Sequence, residues 1–169
     1  LKNFITINDF LKRHSREQLR FLIVKNLWKS PIDYSESAMI EVKSVLEKIE
    51  EFLRKIKYVK TKKLTDKNLK KLFEKTKINF YKKLNDDFNT PEAFAVIFDF
   101  IKKSNKFLKE DLVSKNQAEE IYSFFEKLNQ IFGIIDFKKI KKPVIPLNIK
   151  KLIRDREKYR KKQNWQKAD

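Results

Sequence analysis

The residues best suited to chemistry lie in one short string, KLNDDFNTPEAF, at positions 83–94 of this 169-residue sequence. Within it, Asp86 and Asp87 place two carboxylates next to each other. Such a pair could act as a general acid and base, or bind a divalent cation. However, adjacent residues of a helix point about 100° apart, so the two carboxylates cannot cooperate on one atom. A metal-binding loop would also need more oxygen ligands at alternating positions and usually a glycine, which this string lacks.

The same string has the features of a junction between two helices. Thr90 is a predicted N-cap, Pro91 suits the first helical position, and Glu92 is favourable at the positive end of the helix dipole. We therefore interpret Asp86 and Asp87 as the end of the preceding helix and the turn after it. The sequence thus predicts no catalytic residue and no metal ligand in this chain.

Composition favours an all-α fold. The sequence has one glycine, four prolines and no cysteine, whereas β-hairpins and phosphate-binding loops need glycine. Without cysteine, disulfides, thiolate zinc sites and cysteine nucleophiles are excluded. Apolar residues recur at helical spacing in four long segments, which predicts an antiparallel helical bundle whose core takes most of the phenylalanines. Its helices are predicted to start after Ser35, after Thr65 or Asp66, after Thr90 and after Ser114, with Gly133 as the end.

The segment before the bundle is predicted to be a strand, a helical part and an extended stretch. NFITI at 3–7 is rich in β-branched and aromatic residues, which is typical of a strand. A short helix is predicted from Asp9 to His14, and Ser15 is predicted to cap a second one over 16–26. Pro31 favours an extended backbone after that. His14 is interpreted as a surface residue and not as a ligand.

The segment after the bundle is predicted to be a linker followed by a basic helix. Pro143 and Pro146 forbid a helix in the linker, 134–147. Asn148 is predicted to cap a helix that ends near Lys162, and Asn164 to cap a new one that starts at Trp165.

Positive charge is unevenly distributed along the chain, whose formal net charge is +18. Residues 54–83 contain thirteen bases against two acids, and residues 138–162 contain twelve against two. An AT-rich genome, which raises the lysine content of all its proteins, accounts for part of this excess. Clustered positive charge is also typical of proteins that bind a polyanion.

Four stretches resemble, in the same order, segments of the bacterial cysteinyl-tRNA synthetase family. DDFNTPEA at 86–93 resembles the signature of its helical bundle, and LKNFITINDFL at 1–11 resembles the segment that follows its KMSKS loop. LRFLIVKNLWKSPIDYSES at 19–37 and IKKLIRDREKYRKKQNWQKAD at 149–169 resemble two further segments of that family. Together these stretches extend over essentially the whole chain.

The resemblance implies a division of the chain and a place in a longer enzyme. It implies a stem-contact fold, a helical tRNA- and anticodon-binding bundle, a linker and the start of an anticodon-reading domain, at 1–34, 35–133, 134–147 and 148–169. The catalytic domain, with ATP and zinc, would precede Leu1, so this chain alone is expected to bind no cofactor and to be inactive. The implied partner is tRNA-Cys, and we expect a cytoplasmic, monomeric protein without membrane contact.

The resemblance also implies which residues contact RNA. By position in the family pattern, the first anticodon base would be read by Arg160, Trp165 and Asp169. An arginine can bind the acceptor edge of guanine, an aspartate can accept its N–H groups, and a tryptophan can stack. Phosphate attraction is expected from the neighbouring Lys158, Lys161 and Lys162.

Two other functions remain open from the residues alone. The chain could be a stand-alone basic helical module that binds nucleic acid without a synthetase. It could also be a helical interaction or scaffold protein whose charge reflects only codon usage.

Overall fold

The structure is a computed structural model, and it describes residues 5–60, 65–141, 147–161 and 163–168. Within these ranges the regular elements are helices, and no strand is found. The predicted all-α bundle is confirmed. In chain order the helices are α1 (Ile7–Leu11), α2 (Arg16–Val24), α3 (Glu36–Lys57), α4 (Lys67–Asn85), α5 (Thr90–Lys109), α6 (Lys115–Phe132), a 3-10 turn (Phe137–Lys139), α7 (Leu147–Lys161) and α8 (Trp165–Ala168).

The strand predicted at 3–7 is not found in its described part, residues 5–7. Thr6 is instead the N-cap of α1: its Oγ1 accepts a hydrogen bond from the backbone N–H of Asp9 and donates one to the Asp9 carboxylate. This local capping outweighs the β propensity of the string, and the described ranges contain no strand with which Ile7 could pair. Helix α1 therefore starts two residues before the predicted Asp9 and ends at Leu11, not at His14.

Helix starts marked by serine are confirmed. Ser15 and Ser114 each form a capping box with the glutamine three residues later, and Ser35 accepts a hydrogen bond from the backbone N–H of Ala38. Of the two candidate caps for α4, Asp66 fills the role by accepting from the backbone N–H groups of Asn68 and Leu69. The sequence therefore located these starts to within a residue.

Gly133 ends α6 as predicted, and the structure gives two reasons for a glycine there. Its φ is +63°, a left-handed conformation that side chains disfavour. A Cβ at this position would also lie only 2.7 Å from Nε of Arg20, which donates a hydrogen bond to the carbonyl of Phe132. The glycine thus lets α2 approach the end of α6 closely.

The core is built from phenylalanine rings that connect the helices of the bundle. Phe100 of α5 lies 6.0 Å from Phe52 of α3 and 5.4 Å from Phe73 of α4, measured between ring centroids. Phe73 in turn lies 5.6 Å from Phe124 of α6. Edge-on and tilted contacts of this kind add to the stabilisation by burial. Each of the helices α3, α4, α5 and α6 thus contributes a ring to one connected cluster.

Amide side chains near the two ends of α6 hydrogen-bond to the backbone of other segments. Gln117 donates to the carbonyl of Asp66 at 2.8 Å and accepts from the same residue's N–H, which ties the start of α6 to the start of α4. Asn129 exchanges two hydrogen bonds with the backbone of Ile135. Ile135 and Ile140 are buried, so the chain after Gly133 packs on the bundle before it reaches 142–146, where both linker prolines lie outside the described residues.

Helix α7 differs from the bundle helices in having no buried residue among those whose side chains the structure describes. It begins at Leu147, so Asn148 lies inside the helix and the prediction that Asn148 is its cap is wrong. Its apolar side chains Leu147, Leu152 and Ile153 are exposed. None of the helices in the described ranges is both long enough and apolar enough to cross a membrane.

Truncating the central ring of the core tests this packing. Phe100 is fully buried, so Phe100→Ala should lower the free energy of unfolding by about 3–5 kcal/mol in a urea titration. Ile40→Ala, at a site of α3 that is 72% exposed, serves as the control and should change it by less than about 0.5 kcal/mol. A loss below about 1 kcal/mol for Phe100→Ala would show that the predicted face of α5 is not the buried one.

Candidate nucleic-acid interface

The string that contains the two aspartates forms a tight turn between α4 and α5, as predicted. Helix α4 ends at Asn85, and Asp87 and Phe88 have positive φ angles of 49° and 55°. Left-handed conformations are tolerated by aspartate but are costly for phenylalanine. Backbone hydrogen bonds stabilise the turn. The N–H of Phe88 donates to the carbonyl of Leu84, and the N–H of Asn89 donates to the carbonyls of Lys83 and Asp86.

The N-cap of α5 is Asn89, and not Thr90 as predicted from the sequence. The Asn89 side chain accepts a hydrogen bond from the backbone N–H of Glu92. Thr90 is the first helical residue and is buried; its hydroxyl donates to the backbone carbonyl of Asn26 at 3.2 Å. Asparagine and threonine are both good caps, and the left-handed residues before Asn89 decide which of them reaches the free N–H groups.

The acidic side chains of this turn form ion pairs or face solvent. Asp87 pairs with Lys29 at 2.7 Å, and Glu92 pairs with Lys83 across the turn. The hydrogen bond from Lys83 to Glu92 raises the pKa of the lysine above its ordinary value. Asp86 is exposed. In the described part of the chain, no three His, Cys, Asp or Glu side chains are grouped so that they could hold a metal ion.

The turn also binds the loop between α2 and α3, which the sequence reasoning did not identify. Trp28 donates its indole N–H to the backbone carbonyl of Asp87 at 3.1 Å. Together with Lys29–Asp87 and Thr90–Asn26, this bond joins residues that are 58 to 64 positions apart. The available signal was Trp28 itself, a large aromatic residue in a loop, followed directly by a lysine and three residues later by a proline.

The tail residues that the sequence predicted to bind RNA lie at the end of α7 and in α8. Lys158, Arg160 and Lys161 are exposed in the last turn of α7, and Trp165 is the first residue of α8 and is 57% exposed. In the described ranges, no ion pair involves these three basic side chains. Lys162 and Asp169 lie outside the described residues.

A turn brings α8 back beside the end of α7. Gln163 has a φ of 55°, its N–H donates to the carbonyl of Arg160, and the N–H of Asn164 donates to the carbonyl of Tyr159, both at 3.0 Å. This geometry places Arg160 near the end of α7 and Trp165 at the start of the short α8, where the two helices meet at one corner. Such a corner can present a cation and an aromatic face to the same ligand.

Comparison with known families identifies the class. The family model of the DALR domain matches residues 79–136, which include the end of α4, the turn, and α5 and α6. The model of the class I (C) tRNA synthetase catalytic domain matches residues 1–44. The chain is therefore related to the class I aminoacyl-tRNA synthetases.

Individual relatives narrow this class. A cysteine–tRNA ligase of Methanococcus maripaludis strain C7 is 32% identical over 182 residues, which cover 100% of this chain and 38% of the relative. Those of Archaeoglobus fulgidus and Protochlamydia amoebophila are 32% and 29% identical, again over the whole chain and over 36% and 35% of their own length. The chain belongs to the cysteine–tRNA ligase family, and it spans little more than a third of the length of these relatives.

The cap of α5 can be tested by substitution. Asn89→Ala removes the acceptor for the Glu92 N–H, so it should lower the free energy of unfolding by about 0.5–2 kcal/mol. Asn89→Ser retains a capping oxygen and should lose clearly less. Equal losses for the two variants in urea titrations would contradict the assignment of Asn89 as the cap.

Proposed function

We propose that this chain is the tRNA-binding part of a cysteine–tRNA ligase, the enzyme that uses ATP to attach cysteine to tRNA-Cys. The observation that carries the proposal is similarity to cysteine–tRNA ligases along the whole chain, including the helical segment that matches the DALR domain. A helical anticodon-binding domain is what the resemblance implies for that segment.

The charge of the chain supports a polyanionic partner. The formal net charge is +18, and Lys158, Arg160 and Lys161 are exposed without an ion pair in the described part of the tail. Side chains in that state can neutralise RNA phosphates and release counterions, which favours binding without sequence preference. We assign this positioning role to Lys158, Lys161 and, from its sequence position, Lys162.

Base recognition is assigned to the corner between α7 and α8. Arg160 supplies a planar guanidinium that can bind the acceptor edge of guanine with two hydrogen bonds, and Trp165 supplies a stacking surface. Asp169 completes this set by its position in the family pattern. We propose that these residues read the first anticodon base of tRNA-Cys.

ATP and zinc are expected in the complete enzyme. We assign no zinc ligand to this chain, whose sequence has no cysteine and whose described residues form no metal cluster. We propose a monomeric, cytoplasmic enzyme in which residues 1–34 contact the stem, 35–133 form the tRNA-binding bundle and 134–147 link it to the anticodon-reading part.

Two substitutions in α7 test whether base reading and phosphate attraction are separate. In the complete enzyme, Arg160→Ala should reduce kcat/KM for tRNA-Cys about 5- to 150-fold. It should also reduce the ratio of kcat/KM for tRNA-Cys to kcat/KM for a tRNA whose first anticodon base has been changed. Lys161→Ala, one residue further along the same helix, should weaken the use of both tRNAs by the same factor. Aminoacylation assays with the two transcripts provide the measurement.

The outcome that contradicts this assignment is a matched loss. If Arg160→Ala lowers kcat/KM for both tRNAs equally, Arg160 is a phosphate contact and does not read a base. Cysteine-dependent pyrophosphate exchange, which needs no tRNA, should be unchanged in both variants and shows that the catalytic domain is intact.

A further inference from the structure

Trp28, in the loop between α2 and α3, has an unusually exposed side chain for a tryptophan. It is 62% exposed although tryptophan is normally largely buried. Phe88, which follows the residue that Trp28 hydrogen-bonds, is exposed as well. One side of its ring lies against the buried Phe132, at a centroid distance of 6.2 Å. Two aromatic rings are thus presented to solvent where the loop before α3 meets the turn before α5.

The indole ring is held in place at this exposed position. Its N–H donates to the carbonyl of Asp87, which belongs to the pair of left-handed residues in the turn. Because the N–H already has a partner, the ring is not free to turn its polar edge towards another acceptor. A ring fixed in this way loses little conformational entropy when a ligand covers its face.

Trp28 has an exposed lysine beside its ring. The Lys29 ammonium group lies 4.8 Å from the centroid of the Trp28 ring and forms an exposed ion pair with Asp87 at 2.7 Å. At the end of α4, a shallow depression of about 610 Å³ is lined by Tyr81, Lys82 and Lys83 together with Asp86. Exposed aromatic side chains with lysines beside them are typical of surfaces that bind single-stranded nucleic acid.

We propose that Trp28 is a stacking platform for an unpaired base of the bound tRNA. This inference rests on the proposed function, because it takes RNA as the ligand, and it adds a second contact region remote in sequence from the α7–α8 corner. An apolar protein surface is the less suitable occupant, because it would remove the exposed Lys29–Asp87 ion pair from water.

Fluorescence can detect this stacking directly, because the chain contains only two tryptophans, Trp28 and Trp165. In the Trp165→Phe variant all tryptophan emission comes from Trp28. Addition of a tRNA-Cys transcript should quench this emission with the same dissociation constant that a filter-binding assay gives. Binding without any change in the Trp28 emission would overturn the proposal.

The reciprocal variant separates this inference from the function on which it rests. In Trp28→Phe, the emission of Trp165 reports on the α7–α8 corner alone. If the chain binds tRNA and only Trp28 is unresponsive, the stacking platform fails and tRNA binding stands. If the unsubstituted chain does not bind tRNA in the filter assay, both proposals fail.

Substitutions in the complete enzyme distinguish RNA from another part of the protein as the group that covers Trp28. Trp28→Leu should raise KM for tRNA-Cys about 5- to 100-fold, whereas Trp28→Phe, which keeps an aromatic face, should stay within about threefold of the original enzyme. Pyrophosphate exchange should be unchanged in both. If pyrophosphate exchange falls together with aminoacylation, Trp28 packs against another part of the polypeptide. If the Leu and Phe variants have equal KM values for tRNA-Cys, no stacking occurs. Either result overturns the proposal.

Discussion

The structure depends above all on the burial of one connected cluster of phenylalanine rings. Phe52, Phe73, Phe100 and Phe124 come from four different helices, and each is buried in contact with at least one of the others. Burying each such ring stabilises the fold by several kcal/mol, so the faces that carry them must point inwards. The lysine-rich faces of the same helices are then left outside, and the basic surface follows from the core.

The turn between α4 and α5 holds the loop between α2 and α3 against the bundle. Its two left-handed residues cost conformational energy, and they direct the Asp87 carbonyl and carboxylate towards Trp28 and Lys29. Thr90 holds the same loop from the first turn of α5. The paired aspartates that suggest chemistry in the sequence thus have a positioning role: the turn fixes how the segment before α3 lies against the bundle.

Local signals in the sequence were sufficient for most of the fold. Serine caps, the aspartate before α4, Gly133 and the apolar periodicity act within a few residues, so the pattern predicted where α2, α3, α4 and α6 start. The errors arose where two local preferences compete, as in the capping of α1 by Thr6 inside a β-prone string and of α5 by Asn89 instead of Thr90. The contact between Trp28 and Asp87 spans 59 positions, and no periodicity or motif in a single sequence reports such a contact.

The lysine-rich surface of the chain is expected to bind tRNA through its phosphates. The most direct test measures the affinity of the chain for a tRNA-Cys transcript at a series of salt concentrations. If at least four phosphates are neutralised, the logarithm of the binding constant should fall linearly with the logarithm of salt concentration, with a slope steeper than about −3. A slope near zero, or no measurable binding at low salt, would contradict the account.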